Sequence, residues 1–176
     1  PDTWTFLTRA YHEGPSAKGV RNVATAAALR EIPSFFLYGE APHEDDERTL
    51  HIEPIGFRSA RHHWHISPHV HRTLHQLIFV LRGRGVSLVE SDAVEYSPPA
   101  LIIVPAGTVH GFRFDPGTHG YVLSMTDDRP RTIAQRDPSV AALFEKSATI
   151  ELDDDELKAT DLSRSLKMLT REFGRA

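Results

Sequence analysis

The chain has 176 residues, a length typical of a single domain with its own hydrophobic core. Its 20 Lys and Arg residues and 24 Asp and Glu residues give a net charge of -4, which argues against a surface that binds the phosphate backbone of a nucleic acid. The sequence contains no cysteine, which excludes disulfides and thiolate metal sites. It also lacks an apolar run as long as the about 20 residues that a membrane-spanning helix needs. We therefore expect a soluble cytoplasmic protein.

Residues 1–34 form the first predicted unit, an N-terminal arm. The stretch Val20–Glu31 has the alanine content of a helix, and Pro33 would end it because the residue before a proline disfavours the helical region. A short surface helix and a mobile arm both fit this composition.

From residue 35 to residue 126 the sequence consists of short β-like runs separated by turn residues, the pattern of a sandwich or barrel. The short connections leave no room for crossover helices and therefore favour antiparallel pairing. The predicted strands are Phe35–Tyr38, Leu50–Phe57, Arg61–Ile66, Gln76–Leu81, Val86–Glu90, Val94–Tyr96, Leu101–Val104, Val109–Phe114 and Tyr121–Met125.

Residues 127–176 are predicted to be helical. A short helix is expected over Pro138–Lys146, and a second helix is expected to follow Asp153, which precedes Glu156 by the spacing of a capping box. Its apolar positions recur at intervals of three and four residues, which is the pattern of a short dimerisation seam or of a helix that packs on the barrel. We assign this seam to a homodimer contact; its residues are Leu162, Leu166, Leu169 and Phe173.

The histidines of the segment Pro68–Gly83 are the first candidates for a functional site. If this segment is extended, His69 and His71 project from the same face, because side chains alternate with a period of two. In a closed barrel they would meet Gln76 and His110 in the interior. Three neutral histidines are enough to hold zinc, iron or nickel, but they could equally bind one another or a ligand without a metal.

These residues resemble the two cupin motifs. The first reads Pro68-His69-x-His71-x4-Gln76-x6-Gly83, and the second reads Pro105-x-Gly107-x2-His110. Gln76 stands where metal cupins usually carry glutamate, and in the second motif Phe114 replaces asparagine and Pro99 replaces the leading glycine. These departures argue against a metal enzyme.

A wider resemblance covers Ile32 to about Met125. The stretches Ile32–Glu40, His71–Gln76, Val80–Gly85 and Val104–Phe114 are similar to the N-terminal sensor domain of AraC/XylS-type transcription regulators, in the PobR-like and HpaA-like group that responds to hydroxybenzoates. The resemblance implies a mainly β fold, a double-stranded β-helix (jelly-roll, cupin) barrel over residues 35–126, followed by dimerising helices over residues 127–176. It also implies a separate C-terminal helix-turn-helix domain for DNA binding, which the present sequence does not contain.

The function implied by the resemblance is effector sensing without catalysis. An aromatic acid needs an apolar slot for its ring and a cation or hydrogen-bond donor for its carboxylate. Arg58 and Arg113 are further cationic options, although strict alternation from His110 points Arg113 outward. The expected effector-binding residues are Trp64, His69, His71, Gln76, Ile78, His110, Phe112, Tyr121 and Arg61.

The alternative function is that of a metal-dependent cupin enzyme, a dioxygenase or an isomerase. It requires a stoichiometric divalent metal ion on His69, His71 and His110. The sensor needs no cofactor, although a divalent metal at the histidine cluster is compatible with it.

Overall fold

A computed structural model of the chain describes residues 32–40, 50–90 and 92–173. The predicted helix Val20–Glu31 lies outside the described residues, as do most residues of the predicted arm.

The described residues contain nine strands, all paired antiparallel in two sheets. In chain order they are β1 (Leu50–Pro54), β2 (His65–Val70), β3 (Leu74–Arg82), β4 (Gly85–Val89), β5 (Asp92–Tyr96), β6 (Ala100–Val104), β7 (Val109–Phe114), β8 (His119–Thr126) and β9 (Ala148–Glu151). The first sheet has the order β1-β8-β3-β6-β9, and the second has the order β2-β7-β4-β5. The strands predicted between residues 76 and 125 are confirmed.

Helices follow β1, β8 and β9 and cover part of the sheets. Their bounds are α1 (Ile55–Ser59), α2 (Asp128–Ala134), α3 (Ser139–Ala142), α4 (Asp154–Ala159) and α5 (Leu162–Phe173), and a 3-10 turn spans Ala60–His62. The backbone N–H of Asp155 donates to Asp153 Oδ1 at 2.9 Å, so Asp153 caps α4 as predicted. No described helix is long and apolar enough to cross a membrane.

Two apolar clusters hold these layers together, one on each face of the five-stranded sheet. Strand β3 is buried on both faces because it lies at the centre of that sheet, which explains its unbroken apolar sequence. Leu77 and Phe79 point to an outer cluster that the C-terminal helices complete. Ile78 and Val80 point to an inner cluster between the two sheets, where they pack with Phe112.

Three of the predicted strands differ from the structure. Phe35–Tyr38 is not a strand, since residues 33–40 make one parallel bridge from Ser34 to Val70 and then turn. The predicted strand Leu50–Phe57 stops at Pro54, where α1 begins and places Ile55 in the inner cluster.

Residues 61–64 also differ. They form a turn rather than a strand, because His63 and Trp64 both take the left-handed conformation, with φ angles of 54° and 61°.

The predicted helical unit 127–176 is not purely helical. Strand β9 pairs with β6 and so extends the five-stranded sheet. The segment is therefore an integral part of the layered structure.

The predicted dimerisation seam packs on the sheet of its own chain, which corrects its assignment. Leu162 and Leu166 are only 4% and 2% exposed and belong to the outer cluster, and Leu169 packs against it. The seam pattern is the same for a helix on a sheet and for a helix in a dimer, and here the sheet takes the apolar side. Phe173 stays 44% exposed, and dimerisation remains a prediction that needs another surface.

Replacing Leu166 by alanine should lower the free energy of unfolding by about 2–5 kcal/mol, because it leaves a cavity in the outer cluster. Urea unfolding at two protein concentrations measures this loss, which should not depend on concentration. Met168→Ala is the matched control, since Met168 lies on the same helix and is 55% exposed. Equal stabilities for the two variants would contradict the packing described here.

Candidate metal and ligand site

Three histidines from adjacent strands meet in the interior between the sheets. His69 on β2 lies opposite His110 on β7 in the strand register, and His71 follows β2 directly. The ring centroids of His69 and His110 are 4.3 Å apart, and those of His69 and His71 are 4.7 Å apart. Each of the three residues is 1% exposed.

The close approach of β2 to β7 depends on a glycine beside an irregularity in β2. The register of β2 shifts between Ile66 and His69, which indicates a bulge that re-aims the strand. A Cβ atom at Gly111 would lie 2.8 Å from the Ile66 carbonyl oxygen. Only glycine allows β7 to lie this close, and the paired positions of His69 and His110 follow from it.

Hydrogen bonds to backbone carbonyls fix the orientation of all three imidazoles. The Nδ1 atoms of His69, His71 and His110 lie 2.8, 3.0 and 2.8 Å from carbonyl oxygens. The accepting oxygens belong to Ser67, Phe35 and Thr108. Because a carbonyl oxygen can only accept, each Nδ1 carries the hydrogen, and each neutral ring presents its Nε2 as a lone pair.

These Nε2 lone pairs point at one another. The Nε2 atoms of His69 and His71 are 3.1 Å apart, and neither can donate to the other while both Nδ1 atoms hold the hydrogen. Protonation is disfavoured, because burial and the adjacent His71 lower the pKa of His69 to about 4. Burial also lowers the pKa of His71, and burial with the neighbouring His69 holds the pKa of His110 well below its usual value.

Gln76 on β3 adds an amide group from the opposite sheet. Its Nε2 donates to Ser124 Oγ at 3.1 Å, and its Oε1 lies 3.1 Å from His110 Nε2. This contact again joins two acceptors. Three imidazole nitrogens and one amide oxygen therefore converge.

The donor set fits a divalent metal ion. The ligating atoms of His69, His71 and His110 all lie within 4.8 Å of one another, and hydrogen bonds at the far nitrogens are the usual support of metal-bound histidines. A cation placed among facing lone pairs would replace acceptor–acceptor contacts by bonds.

A cavity of about 40 Å³ adjoins the histidines. Its apolar wall is formed by Leu37, Tyr38, Ile55, Ile66, Phe112, Phe114 and Val122, and its polar wall by Glu53, Arg58, Ser59, His69, His71 and Gln76. A cavity that binds benzene has a volume of about 150 Å³, so the much smaller cavity beside the histidines has no room for an aromatic ring unless a wall moves.

The structure brings most of the predicted effector-binding residues to this site. His69, His71, Gln76 and Phe112 line the cavity, and His110 lies against them. Ile78 packs in the inner cluster behind this wall. Trp64, which is half-buried, covers Gly56 of α1 instead of the cavity.

Tyr121 and Arg61 lie elsewhere, which corrects their predicted placement. Tyr121 points to the outer cluster, because its neighbour Val122 takes the inward position on β8. Arg61 is exposed, with its guanidinium 4.6 Å from the centre of the Phe57 ring. Arg58, three residues earlier, supplies the cation at the cavity.

The sequence prediction missed the cavity residues Leu37, Tyr38 and Glu53. The first two belong to a segment that was predicted as a strand, and Glu53 lies in the predicted strand Leu50–Phe57 without having been singled out as a site residue. Glu53 Oε1 lies 2.6 Å from Arg58 Nε, which meets the need of a buried carboxylate for a cation, but this pairing is visible only in the structure.

Comparison with known proteins identifies the domain. Residues 56–125 match the sequence profile described as a cupin domain. A solved structure, that of KdgF from Halomonas sp., aligns with 54% of this chain and 98% of its own chain, at 20% identity and a TM-score of 0.35. Curated proteins gave no match. The cupin match over residues 56–125, together with the two antiparallel sheets and the few C-terminal helices, confirms the predicted fold class.

The tag-free protein should bind one equivalent of a divalent ion such as Zn²⁺ or Ni²⁺ in a calorimetric titration after treatment with a chelator. Alanine at His69, His71 or His110 should weaken binding by at least about tenfold, because each substitution removes one of few ligands. His65→Ala is the control, since His65 lies on the same strand and is exposed. Unchanged binding in all three site variants would exclude the centre.

The metal-free protein should lose stability as the pH falls from about 6.5 towards about 4. The unfolded chain takes up protons at His69 near pH 6.5, whereas the folded chain resists them until about pH 4. This difference amounts to about 3 kcal/mol for His69, and the loss is complete below the folded pKa. Urea unfolding at several pH values should show a smaller loss for His69→Gln than for the wild type or His65→Gln. Parallel pH profiles for all three proteins would refute the expectation.

Proposed function

We propose that this cupin domain senses a small aromatic carboxylic acid of the hydroxybenzoate type and thereby controls DNA binding by a full-length AraC-type dimer. The observation that carries the proposal is the attachment of residues 33–40 to the same histidines that face the cavity. Any ligand that occupies the cavity acts directly on this segment.

The attachment of the segment 33–40 is direct. The carbonyl oxygen of Phe35 accepts the hydrogen bond from His71 Nδ1, and the ring of Tyr38 lies 4.6 Å from that of His69. Two backbone hydrogen bonds of 3.0 Å join Val70 to Pro33 and to Phe35. A change at the histidines is therefore transmitted to the segment without any intermediate residue.

Ligand entry requires a wall to move, and the segment is the wall that moves at least cost. Leu37 and Tyr38 belong to it, whereas Phe112 and Val122 lie on strands that pair with a neighbour on each side. A ring that occupies the cavity thus favours a displaced segment. Because the ligand binds only that state, it shifts the equilibrium between the two arrangements.

The cavity walls match the two halves of an aromatic acid. Ile55, Phe112 and Phe114 offer apolar surface for the ring, and the histidines and Arg58 supply polar groups to the same cavity. A divalent ion held by His69, His71 and His110 would supply positive charge for the carboxylate. DNA binding itself belongs to a domain outside this sequence.

A metal-dependent cupin enzyme, a dioxygenase or an isomerase, is the second candidate. The convergence of three histidine lone pairs favours it, since the same ligand set can bind substrate as well as effector. The two functions differ in outcome, because an enzyme converts the bound acid and a sensor releases it unchanged.

Titration with 3- and 4-hydroxybenzoate in a calorimeter should show binding of one acid per chain. Hydrogen exchange should then accelerate at the amides of Val70 and Phe35, because their hydrogen bonds join the segment 33–40 to β2. Phe112→Ala should weaken binding, and Val86→Ala, on the outer side of the four-stranded sheet, is its control.

If neither acid binds at millimolar concentration, the aromatic-acid proposal is wrong. Binding without faster exchange at Val70 would refute the role of the segment. Conversion of the acid with the metal present would identify the enzyme instead.

A further inference from the structure

Arg58 is the one cation among the cavity residues of the described chain. It lies on α1, and its side chain is 17% exposed. Burial opposes its charge, but the carboxylates of Glu53 and Glu40 outweigh that effect and raise the pKa of Arg58. The guanidinium is therefore charged at every physiological pH.

Three groups occupy its hydrogen-bond donors. Arg58 Nε donates to Glu53 Oε1 at 2.6 Å, Nη2 donates to Glu40 Oε1 at 2.7 Å, and Nη1 donates to the carbonyl oxygen of Tyr38 at 2.8 Å. Glu53 belongs to β1. Glu40 and Tyr38 belong to the segment 33–40, so Arg58 fastens this segment to the barrel.

The two carboxylates differ in how firmly they are held. Glu53 is 8% exposed and accepts a second hydrogen bond, of 3.1 Å, from His51 Nε2. Removing it from its cation would leave an unpaired buried charge, which is strongly unfavourable. The side chain of Glu40 is 35% exposed and can return to water. Glu40 is thus the carboxylate that a competitor can replace.

Arg58 also lines the cavity, as do His71 and Gln76. Its planar fork of donors matches a carboxylate, and an acid in the cavity comes within its reach. A ligand carboxylate that replaces Glu40 leaves the charge of the group unchanged, with one guanidinium and two carboxylates. A neutral ligand cannot make this exchange at equal cost.

We propose that Arg58 selects ligands that carry a carboxylate, and that Glu40 occupies this position in the ligand-free protein. The inference rests on the proposed function. Loss of Glu40 from Arg58 removes one of the ties of the segment 33–40, so the exchange of carboxylates also frees the segment. Carboxylate recognition and release of the segment are then one event.

Calorimetry with two matched probes, 4-hydroxybenzoate and its neutral amide 4-hydroxybenzamide, tests this inference. The wild type should prefer the acid by about tenfold or more, because charged hydrogen bonds exceed neutral ones. Arg58→Gln should abolish this preference, and Arg58→Lys should keep part of it, since lysine retains the charge but not the fork.

Glu40→Gln tests the second part of the proposal, that Glu40 holds the carboxylate position in the ligand-free protein, and it leaves the cavity wall intact. It should raise the affinity for both probes by a similar factor of several-fold, because it weakens the tie that opposes entry, and it should leave the preference for the acid unchanged. Glu95→Gln is the control for the loss of one negative charge, since Glu95 is exposed on β5; it should change neither affinity.

The outcomes separate the inference from the proposed function. If the wild type binds neither probe at millimolar concentration, the proposed function fails. If the wild type binds the acid but Arg58→Lys and Arg58→Gln keep its full preference, or Glu40→Gln changes neither affinity, the inference is overturned while the proposed function stands. Arg58→Gln could fail to fold because Glu53 loses its cation. In that case the affinities of Arg58→Lys and Glu40→Gln for the two probes still test the inference.

Discussion

The hydrogen bonds from three histidine Nδ1 atoms to backbone carbonyls are the constraint on which the site depends. They fix the tautomer of His69, His71 and His110 and turn every Nε2 lone pair towards the same point. Burial keeps these rings neutral, so no proton relieves the contact between acceptors. The centre therefore suits a divalent cation bound at the three Nε2 atoms.

One of these three hydrogen bonds also links the site to the rest of the chain. The acceptor for His71 is the Phe35 carbonyl, which lies in the segment 33–40 rather than in a sheet. Arg58 holds the same segment from the other side through Tyr38 and Glu40. The segment thus closes a cavity too small for a ring, and its two sets of attachments both lie where a carboxylate would bind. This geometry is the basis of the proposed sensor function.

The sequence predicts well where a local rule decides the structure. His69 and His71 share a face because strands have a period of two, and the unbroken apolar run of β3 reflects a strand covered on both sides. The rule fails where two faces are equally apolar. The sequence of β8 does not reveal that Val122 faces inward and Tyr121 outward, because apolar clusters exist on both sides.

Other errors arose from tertiary contacts that no local pattern encodes. Arg58 and Arg61 lie within one short helical stretch, and only the orientation of α1 decides that Arg58 reaches the cavity. Leu166 obeys the seam spacing whether it meets a sheet or a second chain. Phe35 lies in an apolar run typical of a strand, yet its segment pairs at a single bridge because it turns to cover the histidines.

The most direct test of the central claim is a crystal structure of the protein with zinc and 4-hydroxybenzoate, with data on both sides of the zinc absorption edge. The account predicts an anomalous peak among the Nε2 atoms of His69, His71 and His110, with the acid between this peak and Arg58 and the segment 33–40 displaced. Two results would contradict it: the acid bound in the barrel while the segment 33–40 keeps its hydrogen bonds to Val70, or no anomalous peak at the histidines.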